Sequence, residues 1–168
     1  MILPFNNHYP DCDQALFIAE NATIVGQVTL EEECTVWYSA TLRGDLAPIY
    51  IGRATNVQDN AVIHVNYDML TRIEQEVTIG HSAIIHACTI GRGALIGMGA
   101  IILDGAEIGE YSLVAAGSLV PPGKSYPPHS MIMGTPAKVV RSLSTGEIEE
   151  MAENNRHYIL LGRAFAAK

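Results

Sequence analysis

Residues 90–120 read IGRGALIGMGAIILDGAEIGEYSLVAAGSLV, and an aliphatic side chain returns at every sixth position of this stretch. The repeated positions are Ile90, Ile96, Ile102, Ile108, Val114 and Val120. The same period runs back through the chain, with short slips, at Ile18, Ile24, Leu30, Val36, Leu42, Ile51, Val57, Ile63, Ile73, Ile79 and Ile85. Because a helix repeats every ~3.6 residues and a strand every two, this period indicates short strands joined by turns. Three such rungs close a triangular coil, and successive coils stack at the ordinary strand spacing of about 4.8 Å.

The number of rungs sets the expected size of the stack. About sixteen rungs predict roughly five coils, with aliphatic side chains inside and small residues near the corners. A β-sandwich is the alternative architecture, but its strands would be longer and would alternate apolar and polar residues. The hexapeptide pattern resembles that of proteins with a left-handed parallel β-helix. The handedness comes from that resemblance, since most parallel crossover connections are right-handed.

The C-terminal region departs from the six-residue period. Residues 130–141, SMIMGTPAKVVR, resemble the exit segment common in hexapeptide-repeat proteins and are expected to leave the prism. Ser144 and Glu147 then form the pattern of a helix capping box, and an apolar stripe follows to about Phe165. We therefore predict a mainly β single domain, with the β-helix and exit segment over residues 1–143 and a C-terminal α-helix over residues 144–168 packed on it. The flat faces of such a prism favour a homotrimer around a three-fold axis.

The composition narrows the class of protein. The chain has 168 residues, 48% of them hydrophobic but only 7% aromatic, and a formal net charge of −8. This acidity argues against a nucleic-acid partner and against an anionic membrane surface. No apolar run approaches the ~20 residues that span a bilayer, and the N-terminus lacks the basic and apolar blocks of a signal peptide. Cys12, Cys34 and Cys88 form neither a disulfide framework nor a CxxC cluster, so we expect a cytoplasmic protein.

Two histidines occupy equivalent places in the repeat. His64 and His86 each follow the aliphatic residue of a rung, and the period places them three rungs, or one full coil, apart. They are therefore expected on the same face, about one strand spacing apart, from where two imidazoles can bind one metal ion. This count treats Tyr67–Arg72 as a loop outside the coil.

The same count predicts two columns of polar side chains. Arg43 joins the column of His64 and His86, while Asp59 and His81 form a neighbouring column. His81 lies one rung earlier than His86 and near a corner, so it need not meet the other two inside one subunit. Across a trimer interface it could instead complete a metal site of the neighbouring subunit. The alternative is that these histidines are merely solvated or hydrogen-bonded on the surface of the β-helix.

The ordered set of motifs resembles one family. Arg43-Gly44-Asp45, Gln58-Asp59-Asn60, His64, and then His81 and His86 are similar to the signature of the γ-class carbonic anhydrases and their close relatives. The resemblance spans nearly the whole chain, and the set is far more specific than any one motif. It implies that three histidines hold zinc, with His64 and His86 from one subunit and His81 from the next.

The resemblance also implies roles for the neighbouring polar residues. Arg43 and Asp45 correspond to an ion pair at the subunit interface, and Asp59 would hold the arginine. Gln58 would lie beside the metal-bound water and orient it. The other interpretation of Gln58 is a corner residue whose amide bonds the adjacent turn.

The implied chemistry is that of a catalytic metal centre. Three neutral imidazoles leave zinc an open position for water, whose pKa can fall to about 7, a value known from carbonic anhydrases themselves. The expected reaction is the reversible hydration of CO2 to bicarbonate by hydroxide on the metal. Fe²⁺ and Co²⁺ also accept imidazole ligands and remain possible cofactors.

Proton removal is where the chain departs from the family. Leu46 follows Asp45 at a position where a glutamate is expected for proton transfer. Asp68, Glu74 and Glu76 could substitute for it or could simply be solvated. We therefore expect the protein to bind metal but to hydrate CO2 weakly.

Tyr158, on the predicted C-terminal helix, has two interpretations. It could reach the site from above and act there in catalysis. It could equally pack on the apolar stripe of the helix.

Two other classes of protein remain open. Many hexapeptide-repeat proteins are acyltransferases or CoA-thioester hydrolases that use a histidine base, but that interpretation leaves three histidines in register unexplained. A non-catalytic metal-binding trimer is the other alternative.

Overall fold

Each six-residue unit forms a strand of two or three residues followed by a turn, and the units wind into a parallel β-helix. The computed structural model describes residues 1–167. The first face carries β1 (Ile2–Leu3), the first part of β3 (Thr23–Leu30), the first part of β5 (Thr41–Ile51), β7 (Val62–His64), β10 (Ile84–His86), β13 (Ile101–Ile102) and β16 (Leu119–Val120). The second face carries the remaining parts of β3 and β5, then β8 (Thr71–Ile73), β11 (Thr89–Ile90), β14 (Glu107–Ile108) and β17 (Ser125–Tyr126).

The third face is a separate sheet. It stacks β2 (Phe17–Ile18), β4 (Thr35–Val36), β6 (Asn56–Val57), β9 (Thr78–Ile79), β12 (Leu95–Ile96), β15 (Leu113–Val114) and β18 (Ser130–Gly134) in parallel, and β19 (Ala137–Ser142) adds an antiparallel strand. The first and second faces join into one sheet because β3 and β5 run through both. The predicted parallel β-helix of hexapeptide repeats with a C-terminal helix is confirmed.

The predicted register is also confirmed. Ile63 pairs with Leu42 on one side and with Ile85 on the other, and Val57 pairs with Ile79. The aliphatic side chains of these rungs are fully buried and form one continuous core along the prism. Close packing of this core fixes the register, because a slip of one residue would expose every inward-facing side chain.

The stack is longer than the five coils expected from the sequence. Its third face has seven parallel strands. Tyr126 and Ile132 occupy the inward places of two further rungs, and Ile132 is fully buried. Residues 130–132 therefore belong to the prism, and the expectation that the exit segment leaves it at residue 130 is wrong. The chain leaves the stack only in the hairpin of β18 and β19.

The loop inside the repeat is shorter than expected. Thr71 and Arg72 belong to β8 rather than to a loop, and they pair with β5 and β11. Thr71 is fully buried, and its hydroxyl donates a hydrogen bond to the carbonyl of His64 at 2.5 Å. The loop outside the coil is therefore confined to the turn in which Asn66 and Met69 exchange backbone hydrogen bonds and to Leu70.

The C-terminal helix α1 (Thr145–Ala166) packs on the third face. Ser144 and Glu147 form the predicted capping box at its N-terminus. Phe165 packs edge-on against Trp37, with ring centroids 5.3 Å apart, and the side-chain amide of Asn155 donates to the carbonyl of Ala54 at 2.9 Å. In the described part of the chain, no helix has the length and apolar character that crossing a lipid bilayer requires.

Candidate metal centre

His64 and His86 lie side by side at the ends of β7 and β10. Their backbones are paired in the parallel sheet, so their side chains leave the same edge of the first face. Nδ1 of His64 is 3.1 Å from Nε2 of His86, and the ring centroids are 5.1 Å apart. The structure thus places the two imidazoles in the column that the repeat predicts.

The outer nitrogen of each ring faces a carboxylate. Nε2 of His64 is 2.9 Å from Oδ1 of Asp45, and Nδ1 of His86 is 2.5 Å from Oδ1 of Asp104. Partial burial raises the pKa of both carboxyls, but hydrogen bonds, including those from the two histidines, outweigh it and lower both pKa values. Both groups are therefore ionised at neutral pH and can only accept hydrogen bonds, so each outer nitrogen carries the proton.

When both rings are neutral, the two inner nitrogens carry no proton and their lone pairs face the same space. Such an arrangement is repulsive unless a cation lies between them, and neutral imidazole nitrogens are good ligands for divalent metals. Two nitrogens bound to one tetrahedral zinc ion at about 2.0–2.1 Å lie roughly 3.3 Å apart. The observed separation of 3.1 Å between His64 Nδ1 and His86 Nε2 is close to that value. The donor set of this pair fits zinc.

Arg43 extends the same column. It pairs with His64 in the sheet, and its guanidinium donates a hydrogen bond to Oδ2 of Asp45. Asp45 therefore joins Arg43 to His64 through its two oxygens. The Arg43 side chain remains 48% exposed in this ion pair.

His81 lies apart from the other two histidines. It follows β9 and precedes β10, whereas His86 ends β10, so the two flank the first face on opposite edges. Nδ1 of His81 is 2.9 Å from Oδ2 of Asp59, and the His81 side chain is 41% exposed. Within residues 1–167 of one chain, no three side chains of His, Cys, Asp or Glu converge as a metal site.

Asp59 and Arg43 are not brought together within one chain. Asp59 is instead the carboxylate partner of His81, with which it shares the predicted neighbouring column. Each of the three histidines therefore has one nitrogen held by a carboxylate and one nitrogen left for another partner.

Gln58 lies beside His81 in a cavity on the third face. Gln58 is 5% exposed, and its amide donates to Oδ1 of Asn56 at 3.1 Å. The cavity has a volume of about 310 Å³ and a largely apolar lining that includes Leu95, Met98 and Leu113. An apolar cavity next to His81 and Gln58 is suited to a small apolar substrate.

Tyr158 reaches the same cavity from helix α1. Its ring packs edge-on against Trp37, with centroids 5.6 Å apart, and it lines the cavity together with Gln58 and His81. Partial burial and the charge of Asp59 raise the pKa of the Tyr158 phenol, which keeps it protonated at neutral pH. Tyr158 therefore packs on the helix–prism interface and also faces the candidate site.

The carboxylates considered for proton transfer do not contact the histidines. Glu74 accepts a hydrogen bond from Arg72 at 2.5 Å, and Glu76 is ion-paired with Arg92 at 2.9 Å. Asp68 lies at the turn of the short loop after His64. Leu46 packs against the apolar core.

Asp104 is the residue that the sequence analysis missed. Ile102 pairs with Ile85, so counting one coil forward from Ala87 reaches Asp104 beside His86. The repeat therefore contained a partial signal, because the same count that aligned the histidines places Asp104 at the corner next to His86.

Comparisons with known proteins support the hexapeptide-repeat fold and the family that the sequence resembles. Residues 87–122 match the family described as "Bacterial transferase hexapeptide (six repeats)". The chain is 45% identical to "Carbonic anhydrase" of Geobacillus kaustophilus over 99% of its own length and 92% of the relative's. It is 38% identical to "Gamma carbonic anhydrase 2, mitochondrial" of Arabidopsis thaliana over 95% of its own length and 59% of the relative's. A crystal structure of a hexapeptide transferase family protein from Anaplasma phagocytophilum is 40% identical, with a TM-score of 0.94 and 98% of each chain covered.

The fold and the repeated sequence define a hexapeptide-repeat β-helix protein. Within that class, the near-complete alignment with carbonic anhydrases settles the family. The chain belongs to the γ-class carbonic anhydrase family.

Proposed function

We propose that this protein is a zinc-dependent carbonic anhydrase whose metal is shared between subunits of a homotrimer. The observation that carries the proposal is the pair of inner nitrogens of His64 and His86, 3.1 Å apart, each backed by a carboxylate on its outer nitrogen. Asp45 and Asp104 orient both lone pairs inward, as carboxylates do for metal-binding histidines in general.

The third ligand is His81 of a neighbouring subunit. An outward-facing apolar row runs along the first face, where Val62 and Ile84 are 40% and 39% exposed. His81 flanks this row on one edge, and His64 and His86 flank it on the other. A cyclic trimer that buries the row brings the His81 edge of one subunit to the His64–His86 edge of the next, because each heterologous interface of a ring joins two different edges of the same subunit type.

The residues around the proposed metal position have separate roles in the reaction. When bound, zinc lowers the pKa of a coordinated water to about 7 and so supplies a nucleophile for CO2 at neutral pH. Gln58 and the protonated phenol of Tyr158 orient the reacting groups by hydrogen bonds at the mouth of the cavity. The largely apolar lining, which includes Leu95 and Met98, is suited to CO2. Arg43 and Asp45 fix the interface across which the ligands meet.

Hydration is expected to be limited by proton removal. Leu46 cannot carry a proton, and Glu74 and Glu76 are engaged by arginines. Unless Asp68 in the loop after His64 takes the proton, buffer molecules accept it, and the rate should then rise with buffer concentration.

Zinc content and the rate of CO2 hydration, measured on the same preparation, test the proposal. The wild type should hold about one zinc per chain and hydrate CO2 above background. His81→Ala should lose zinc and hydration while the trimer stays intact, and His8→Ala should keep both, since His8 is an exposed residue of the N-terminal segment. A wild type that holds zinc but hydrates CO2 at background would instead show a non-catalytic metal-binding trimer.

An acyltransferase or thioester hydrolase is the second candidate, because a structure 40% identical to this chain is described as a hexapeptide transferase family protein. The discriminating observation is binding of coenzyme A to the metal-free trimer. Tight binding of coenzyme A with turnover of a thioester, in protein that takes up no zinc, would favour this candidate over the first.

A further inference from the structure

Asp104 uses both of its oxygens. Oδ1 meets Nδ1 of His86 at 2.5 Å, and Oδ2 accepts a hydrogen bond from the amide of Asn66 at 2.6 Å. Asn66 belongs to the short loop after His64, where it exchanges two backbone hydrogen bonds with Met69. The carboxylate is thus held between a candidate metal ligand and an ordered turn.

The backbone fixes the position of Asp104 as well. The residue after it, Gly105, donates its N–H to the carbonyl of Ala87 at 2.7 Å, and Ala87 donates its N–H to the carbonyl of His64 at 3.1 Å. Ala87 and Gly105 both adopt the left-handed conformation, with φ of 46° and 66°, so both chains turn sharply at this corner. Asp104 therefore reaches His86 from the next coil of the prism with little freedom to move away.

The consequence concerns the proton of the His86 ring. A carboxylate can only accept a hydrogen bond, so Asp104 holds the proton of a neutral imidazole on Nδ1 and leaves the lone pair on Nε2. That lone pair faces Nδ1 of His64 at 3.1 Å. Without Asp104, a proton could occupy Nε2, and the nitrogen that faces the metal would be blocked.

We propose that Asp104 is the positioning residue of His86, selecting the ring orientation and tautomer that bind metal, and that Asn66 holds Asp104 in this role. The inference rests on the proposed metal-dependent function. It adds two residues from different coils to the site, neither of which touches CO2 or the reacting atoms.

Zinc affinity provides the first test. In competition with a chelator, Asp104→Asn should bind zinc about 10- to 100-fold more weakly than the wild type, the usual loss when such a partner is removed. The matched control is Asp68→Asn, because Asp68 lies in the same loop region and, in the described structure, makes no hydrogen bond to a histidine. Its zinc affinity should be unchanged. An affinity of Asp104→Asn within about twofold of the wild type would overturn the proposal.

The tautomer provides a test that needs no metal. Nitrogen-15 NMR of the metal-free trimer at alkaline pH should show the His86 proton on Nδ1 in the wild type and partly on Nε2 in Asp104→Ala, whose side chain has no oxygen to accept a hydrogen bond. An unchanged tautomer in the variant would overturn the proposal. If the wild type takes up no zinc, the proposed function fails, and this measurement still decides the role of Asp104.

Asn66→Ala is a second variant that tests the proposal if Asp104→Asn does not assemble. Apart from Asp104, the side chain of Asn66 bonds only the backbone N–H of Tyr67 among the described contacts. Its removal should weaken zinc binding in the same direction but less than Asp104→Asn. Zinc binding as tight as in the wild type would contradict the part of the proposal that concerns Asn66.

Discussion

Gln58 shows how one side chain can serve both the fold and the site. Its amide bonds Asn56 on the same strand edge, and its position in the cavity places it next to His81. The two interpretations of Gln58 from the sequence, a corner residue and a catalytic one, are therefore compatible in geometry and have to be separated by measurement.

The variant Gln58→Leu distinguishes the structural role of Gln58 from a catalytic one. The variant keeps a side chain of similar size but cannot hydrogen-bond, so zinc content should be unchanged while kcat/KM for hydration falls roughly three- to tenfold, the effect of one lost hydrogen bond. Zinc analysis and stopped-flow hydration on the same sample provide the measurement. Hydration at the wild-type rate would show that Gln58 is only a corner residue.

The histidines show which contacts the six-residue period predicts and which depend on the local turns. Because the inward residues Ile63 and Ile85 of these rungs are aliphatic, the count that aligns the rungs also aligns His64 with His86. Asp104 follows its rung by two places and approaches His86 from a corner, where the direction of a side chain depends on the local turn. The repeat narrows the choice to that corner, but only the structure shows the contact.

At the scale of the elements, helix α1 depends on a close approach to the prism. A Cβ added at Gly162 would lie 2.5 Å from Cγ2 of Thr35 and 3.3 Å from Cδ2 of Leu16. Thr35 is 1% exposed and cannot move aside. The absence of a side chain at residue 162 therefore lets the helix lie close to the third face.

Gly162→Ala should destabilise the protein even though alanine is the better helix former. The gain in helix propensity is about 1 kcal/mol, whereas overpacking of a tight contact costs about 1–3 kcal/mol, so we expect a net loss of about 1 kcal/mol. Denaturant unfolding followed by circular dichroism measures it. Gly146→Ala is the control, since nothing lies within 4 Å of a Cβ there, and it should be neutral or stabilising. A Gly162→Ala protein more stable than the wild type would contradict the packing described here.

The capping box of helix α1 gives a pH dependence of known sign. Hydrogen bonds from Arg141 and then from the backbone and side chain of Ser144 lower the pKa of Glu147 from 4.5 to about 2. Because the folded pKa lies below the ordinary one, the stabilisation is fully present above pH 4.5 and is lost as the pH falls towards 2.

Glu147→Gln should therefore remove part of the acid sensitivity of the fold. The difference in unfolding midpoint between wild type and Glu147→Gln should be largest near neutral pH and should shrink as the pH falls from about 4.5 to 2. Glu150→Gln, an exposed carboxylate of the same helix, is the matched control and should show no such trend. A difference that does not change with pH would mean that the Glu147 carboxylate does not stabilise the helix N-terminus.

At the scale of the whole molecule, the six-residue period predicts most of the β-helix because each rung places one aliphatic side chain in a shared core. The period fails where the inward residue is not aliphatic or where a polar residue is buried. Tyr126 is aromatic and the buried Thr71 is polar, so the aliphatic period predicts neither the rung of Tyr126 nor the start of β8. Handedness lies outside what periodicity can show, since either hand gives the same inward pattern.

The proposed third ligand, His81, also belongs to the scale of the whole molecule. His81 and the pair formed by His64 and His86 lie on opposite edges of one face, so the two halves of the proposed site do not meet within one chain. A site divided in this way requires a partner subunit and a closed ring, in which every half-site finds its complement.

Subunit mixing tests the shared site most directly. His81→Ala and His86→Ala are unfolded together in equal amounts, refolded, and analysed for zinc bound to the reassembled trimer. A site is intact where His64 and His86 come from the first variant and His81 from the second, so random assembly should restore roughly a quarter of the wild-type zinc content. Each variant refolded alone should bind none. A mixture that binds no more zinc than the separate variants would contradict a metal held between neighbouring subunits.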